Sequence, residues 1–483
     1  MIQRRYAGLT VREASVGLAI CAVVAIVGDD SLLTVATFVL LVGLKLTWTG
    51  DGLFVLPAAF TFHWVETSIG LFYKSVFGRE VPTFVRSEYR PMVLIALGCC
   101  LALAVGIRLG LSLLKTDHDD DRSEYAFSFG LLMVAYVVAT SFEGTLTAAG
   151  ADYPSVRQII VTADTARLGI LFLLLRRLLA PTPRWSWIAG IVALEVALGI
   201  SGFFAGFREP LVLAALALVE VFDRRNPRHW IAMTTAAVSA VAIGLLWMGI
   251  RSEYRRNFIA IDNFDTSRSA RLRSIESLSL NFLHADSEST WETSDALVDR
   301  MWTVYYPALA VERVPQQLPH TNGQILWEAL VHIVTPRVFF PGKPELPSDS
   351  EKVRKYSGVF VAGVEQNTSI AFGYAAEAYI DFGLPWMFLP VLIFGVVMGW
   401  FYRLFDRLIH HRELFVAFGT IAFWISLYLF ERSWATLLGI SLGMMVYLGL
   451  PVIVLDRFLT IRDSRVQREL EPLLFADDHT PGA

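Results

Sequence analysis

Residues 229–250 read HWIAMTTAAVSAVAIGLLWMGI, with fixed charge only at the flanks, Arg228 and Arg251. A helix rising 1.5 Å per residue crosses about 30 Å of hydrocarbon with about 20 residues of this kind. A surface helix of a soluble domain is apolar along one stripe only, whereas this one is apolar all round. The stretch therefore predicts a membrane span. Working outward, similar blocks recur at 12–28, 31–48, 52–73, 92–113, 125–147, 164–181, 184–204, 209–222, 385–404, 412–430 and 434–455, which makes twelve in all. The block at 209–222 is short, and the weakly apolar 366–383 is expected to dip in without crossing.

Composition agrees. Of the 483 residues, 54% are hydrophobic and 18% charged, with mean hydropathy +0.51, where a soluble chain carries about 25% charge. The expected fold class is all-α: a polytopic membrane bundle of about 12 helices with one large, partly helical loop. Its parts are helices 1–9 in 1–250, the loop in 251–384, helices 10–12 in 385–456 and a tail in 457–483. The basic stretch Met1–Glu13 runs into the first block with no small-residue cleavage site, so that block reads as a retained span. A net charge of −4 argues against nucleic acid. Cys21, Cys99 and Cys100 all lie inside apolar blocks and offer neither a disulfide framework nor metal-ligand spacing.

Arginine sets the orientation. Arg4/Arg5/Arg12, Arg176/Arg177/Arg184, Arg224/Arg225/Arg228, Arg403/Arg407/Arg412 and the tail residues Arg457, Arg462, Arg465 and Arg468 all fall on one side of a twelve-span chain. That side is expected to be the cytoplasm, with both termini inside and 251–384 outside. Two connectors disagree: 74–91 is basic (Lys74, Arg79, Arg86, Arg90) yet falls outside, and the Asp117–Asp121 run falls inside. The large loop holds Trp291, Trp302, Tyr305, Tyr306 and Trp327. This aromatic content argues for short amphipathic helices over the outer face and against disorder.

Three features carry candidate chemistry. Gly206-Phe207-Arg208-Glu209-Pro210 puts an arginine where an outward span turns back, and a guanidinium there binds an anion, snorkels, or pairs with Glu209. Arg251, Arg255, Arg256, Arg268, Arg271 and Arg273 open the large loop, and Arg251 and Arg255 share a face if the helix continues. The third feature is Thr335-Pro336-Arg337-Val338-Phe339-Phe340-Pro341-Gly342-Lys343-Pro344, followed by Gly373-Tyr374-Ala375-Ala376-Glu377-Ala378-Tyr379-Ile380-Asp381-Phe382-Gly383. Its first part is a rigid loop carrying two cations. Its second part puts Tyr374, Glu377 and Asp381 on one helical face, where carboxylates in apolar surroundings have raised pKa values suited to proton transfer, or simply stabilise a helix start. His320, His332, Glu143, Glu66 and Glu195 are weaker candidates, more naturally read as buried hydrogen-bonded residues. No metal cluster, phosphate-binding glycine loop or Ser-His-Asp arrangement can be read.

The third feature, together with Gly206-Phe207-Arg208 and the layout of spans and late loop, resembles the bacterial oligosaccharide repeat-unit polymerases of O-antigen and exopolysaccharide synthesis. The paired arginine-x10-glycine pattern of some members is not evident. The resemblance implies a glycosyltransferase of the inner membrane that uses undecaprenyl-pyrophosphate-linked glycans at the outer leaflet and needs no cofactor. It further implies partnership with membrane lipids, a flippase and a chain-length regulator. In that setting Arg208, Arg251, Arg255, Arg337 and Lys343 would face the leaving pyrophosphate, with Tyr374 and Tyr379 against substrate. Glu377 or Asp381 would take the proton of the acceptor hydroxyl. An O-antigen ligase shares the layout and much of the chemistry. A secondary transporter or lipid flippase is the rival class, normally marked by inverted repeats and polar residues at mid-membrane.

Overall fold

The computed structural model describes residues 11–50, 53–81, 89–114, 127–152, 157–179, 182–200, 208–223, 225–259, 268–284, 287–335, 339–340, 342–366 and 368–474. Arg4, Arg5, Arg86, the Asp117–Asp121 run, Gly206, Phe207 and Arg337, and the side chains of Arg255, Arg268 and Glu143, lie outside the described residues. Among the described residues all regular structure is helical. Before the charged segment come α1 (Val11–Val27), α2 (Ser31–Thr47), α3 (Val55–Phe77), α4 (Tyr89–Leu113), α5 (Phe129–Asp152), α6 (Arg157–Leu179), α7 (Trp185–Ile200), α8 (Arg208–Glu220) and α9 (Pro227–Ile259). The segment itself folds into α10 (Arg268–Leu283), α11 (Ser287–Met301), α12 (Tyr305–Arg313), α13 (Gln324–Val334), α14 (Asp349–Ser357) and α15 (Tyr374–Phe382). After it come α16 (Phe388–Leu408), α17 (Arg412–Leu427), α18 (Trp434–Gly443) and, across a π-turn at Met444–Leu448, α19 (Gly449–Leu474).

Among the described residues, five stretches are long and apolar enough to cross a membrane: Tyr89–Leu113, Gln158–Leu179, Pro227–Tyr254, Phe388–Leu408 and Trp434–Arg462. The shorter apolar helices are Ser31–Thr47, Phe129–Phe142, Trp185–Gly199 and Gln324–Val334. None of the 18-residue apolar window within Pro227–Tyr254 is buried inside the protein, and Trp230, Ile231, Val238 and Val241 are all more than half exposed. A soluble protein does not leave such a surface to water. The chain is a helical membrane protein. α9 continues past the expected boundary at 250, through Arg251 and Arg255, as one helix, so the condition for those two sharing a face is met.

The tightest crossing joins α4 to α16. Gly106 and Gly110 face Gly395 and Gly399, two small-residue motifs of the same four-residue spacing. A Cβ on Gly106 would lie 2.2 Å from the Leu392 carbonyl oxygen, and one on Gly399 would lie 2.2 Å from that of Ile107. Lipid tails are as apolar as leucine, so helices in a membrane associate through such close backbone contact rather than through burial from water.

Polar connectors meet at the two ends of the bundle. At one end Arg90 binds Asp30 through two bonds of 2.7 and 3.0 Å, and Lys74 pairs with Glu80. Arg79 reaches across to Asp295 of α11, which also accepts from the Tyr73 hydroxyl at 2.6 Å. Lys74, Arg79 and Arg90 of the basic 74–91 connector are thus each paired with a carboxylate. Trp302 docks the loop onto the bundle by donating to the Thr67 carbonyl at 2.9 Å. At the opposite end Lys45 pairs with Glu13 and Glu413 accepts the Phe127 N–H. There Asp456 accepts the backbone N–H groups of His410 and His411.

Candidate functional site

The turn between α17 and α18 is only a few residues long, and its consecutive residues bond to different elements. The Phe430 N–H donates to Glu66 of α3 at 2.6 Å. Glu431 accepts both terminal nitrogens of Arg300, from α11, at 2.9 and 3.1 Å. Arg432 bonds the Ile425 carbonyl and lies over the Tyr428 ring, 4.8 Å from its centroid. The Ser433 hydroxyl donates to Asp349 of α14 at 3.1 Å and caps α18 through the Thr436 N–H. The Trp434 N–H donates to Glu377 of α15 at 2.7 Å. Glu66 feels both Arg208 and Arg300, and Glu209 accepts from the Tyr428 hydroxyl. Arg208, Arg300 and Arg432 are therefore all within electrostatic range of one buried carboxylate at the loop-bearing end.

Glu377 is 1% exposed and hydrogen-bonded to Lys352 of α14, which also lies 3.1 Å from Asp349. Burial raises the Glu377 pKa, against the pull of the Lys352 ammonium and the Trp434 N–H. Burial disfavours the Lys352 charge, but Glu377 and Asp349 outweigh it and hold the ammonium above its usual range. Lys352 forms part of the wall of a cavity of about 300 Å³. Gln324, Glu328, Glu351, Lys355 and Tyr356 share that wall, with Ala435 from α18. α14 holds Lys352 in place through a capping box of Ser348 and Glu351, acidic residues in its first turn, basic ones in its last, and a left-handed Gly358 beyond it.

The structure separates the residues that the sequence groups on one face of α15. Tyr374 is buried with its hydroxyl 3.3 Å from His63 Nδ1. Asp381 takes the Thr321 hydroxyl and the N–H groups of Ile325 and Leu326, at 3.1 and 2.9 Å. Burial raises its pKa, against those three donors. It caps α13, a helix whose own N-cap, Gly323, has no side chain to do so. Tyr379 donates to the Val314 carbonyl, and the Lys343 ammonium donates to the His332 carbonyl at the far end of α13. α15 ends before the following span: the chain breaks at Gly383, passes Leu384-Pro385 and restarts as α16.

Of the expected site residues, the structure gathers Arg208 and Glu377 about the α17–α18 turn. Arg251 stays in α9, half-buried. Sequence reasoning missed Lys352, Asp349, Arg300, Glu431, Arg432 and Ser433. The readable signal for the last three was a lone Glu-Arg-Ser interruption between two apolar blocks.

Apolar helices joined at one end by a charged turn and a folded loop define a polytopic membrane protein with a polar site at the end of its bundle. Residues 73–430 match the family described as a domain of unknown function, DUF8712. The chain belongs to that family, and the match runs from the end of α3 to the α17–α18 turn. No curated protein and no solved structure matches it.

Proposed function

We propose that this chain is a glycosyltransferase that polymerises undecaprenyl-pyrophosphate-linked repeat units at the periplasmic face of the inner membrane. In this reading α1–α9, α16, α17 and the α18–α19 pair make twelve spans, and 251–384 is periplasmic. The connector contacts support that alternation. Asp30, Arg79, Arg90, Asp295, Arg300 and Glu431 lie in connectors that it assigns to one face. Glu13, Lys45, Phe127, Glu413, His410 and His411 lie in connectors or helix ends that it assigns to the other.

The observation that carries the activity is the α17–α18 turn, which draws three arginines and the Lys352–Glu377 pair to one end of the bundle. In the reaction, the bond from the anomeric carbon to the pyrophosphate oxygen breaks as the acceptor oxygen bonds to that carbon. Arg208, Arg300 and Arg432 stabilise the departing pyrophosphate. The acceptor proton goes to Lys352 as Lys352 passes its own to Glu377, so the buried carboxylate serves through the lysine and need not touch substrate. Lipid-borne substrates suit a site at the membrane edge, and flippase and chain-length partners would act there.

The test is reconstitution of purified protein in liposomes with a lipid-linked repeat unit. Growth of a glycan ladder with release of undecaprenyl pyrophosphate supports the proposal. In cells, deletion should leave single-repeat capped lipid. Full-length unattached polymer would instead mean an O-antigen ligase.

A second reading has one observation in its favour. Glu195 of α7 accepts from Arg167 of α6 and Tyr136 of α5, at 2.5 and 2.6 Å, in a buried triad among apolar helices. Intramembrane ionisable groups of this kind mark transport pathways. Movement of lipid or solute across the liposome without a new glycosidic bond would favour the transporter or flippase.

A further inference from the structure

α13 lies beside the start of α18 rather than above it. Gln324, Ile325, Glu328 and Ala329 share a cavity wall with Ala435, one residue into α18. One turn further along both helices, Ile333 Cγ1 is 4.0 Å from where a Cβ on Gly439 would sit. Contacts advance in the same order on the two helices, so they run in the same direction. The end of α13 is therefore level with Gly439, five residues or roughly 7 Å into α18. That helix opens a stretch long and apolar enough to span, Trp434–Arg462.

The outer side of α13 carries no charge. Trp327, Leu330, Val331 and Val334 form one stripe at i, i+3, i+4 and i+7, exposed by 66%, 39%, 40% and 68%. Beyond the helix, Phe339 and Phe340 are exposed by 76% and 51%. Glu328, the helix's one carboxylate, lines the cavity. Both helix ends are closed by protein, Asp381 at the N-terminus and the Lys343 ammonium at the His332 carbonyl. Open backbone groups are what exclude irregular chain from hydrocarbon, unless that chain lines protein or a cavity. The returning arm meets this condition, because Leu346 and Pro347 line the same cavity.

We infer that α13 and the returning stretch 342–347 form a re-entrant hairpin whose outer stripe, Trp327 to Val334 with Phe339 and Phe340, is covered by lipid acyl chains. α13 is then a wall, with lipid on one side and the polar cavity on the other. The inference rests on the chain being a membrane protein and not on the polymerase reading, so either can fail alone.

The test uses the full chain in phospholipid nanodiscs, with Cys21, Cys99 and Cys100 replaced by alanine. A bimane label is placed at Val334→Cys, Phe339→Cys or, as a water-exposed control in the turn after α12, Gln316→Cys. Lipids carrying a doxyl group on the acyl chain should quench the first two labels several-fold more than the control, and iodide should show the reverse order. Leu330→Cys supplies an independent position should either variant fail to elute as folded protein. Equal access of iodide to all the labels would overturn the inference. Shielding from both quenchers that disappears when each disc holds one protein would also overturn it, since a second copy would then cover the stripe.

Discussion

Substituting Lys352 by methionine keeps the length of the side chain and removes its charge. Glu377 would then be left in a buried site with the Trp434 N–H as its remaining donor. Removing one member of a buried ion pair costs roughly 3–5 kcal/mol. Lys352 is 15% exposed at the cavity wall, so the low end, about 3 kcal/mol, is expected, equivalent to about a hundredfold in the folding equilibrium. Glu377→Gln keeps an acceptor for Trp434 and leaves Lys352 beside Asp349, so it should cost only about 1–2 kcal/mol. In the Lys352→Met/Glu377→Gln double variant the fully buried carboxylate is gone, and Asp349, which also loses Lys352, keeps the Ser433 hydroxyl. Its loss should fall short of the sum of the single losses by about 1–3 kcal/mol. Thermal aggregation of the detergent-purified protein, followed by size exclusion, ranks the variants. Polymer formation at low growth temperature, where all fold, reads the chemistry. There Glu377→Gln should slow polymerisation by about 10²–10⁴ if the pair accepts the proton. Additive stability losses would refute the coupling, and normal polymer in both single variants would refute the proton relay.

Three further expectations follow from other contacts. Asp381→Ala should destabilise the fold by about 1–2 kcal/mol through the lost cap of α13, with activity falling only in step with folded protein; a large activity loss at normal stability would return Asp381 to the chemistry. The Arg79 hydrogen bonds hold the Asp295 pKa below its usual range against burial. The stability this gives is present above the unfolded value near ~4 and is lost as pH falls through the lower folded value, so loop docking, measured by limited proteolysis, should weaken in acid and Asp295→Asn should remove that dependence. Gly106→Leu or Gly399→Leu should abolish accumulation of folded protein, since each adds side chain where a Cβ already meets a carbonyl at 2.2 Å; normal expression of both would disprove the α4–α16 crossing.

Much of the fold was legible in the sequence because a membrane imposes a length and a polarity on every crossing helix, and blocks such as 92–113 and 229–250 display both locally. The helical character of the 251–384 segment was readable from its aromatics and amphipathic stretches. The partners of the polar residues were not readable. Tyr374, Glu377 and Asp381 do share a helix, but helical spacing says only that side chains leave on one side. What each then meets depends on elements from distant parts of the chain: His63 in α3, Lys352 in α14 and the N-terminus of α13. The same holds for Glu431, Arg432 and Ser433, an unremarkable short connector until α3, α11, α14 and α15 converge on it. Buried polar groups must find partners within the protein. Which partners they find is decided by tertiary packing, so the sequence determined the kind of protein and the three-dimensional structure determined its site.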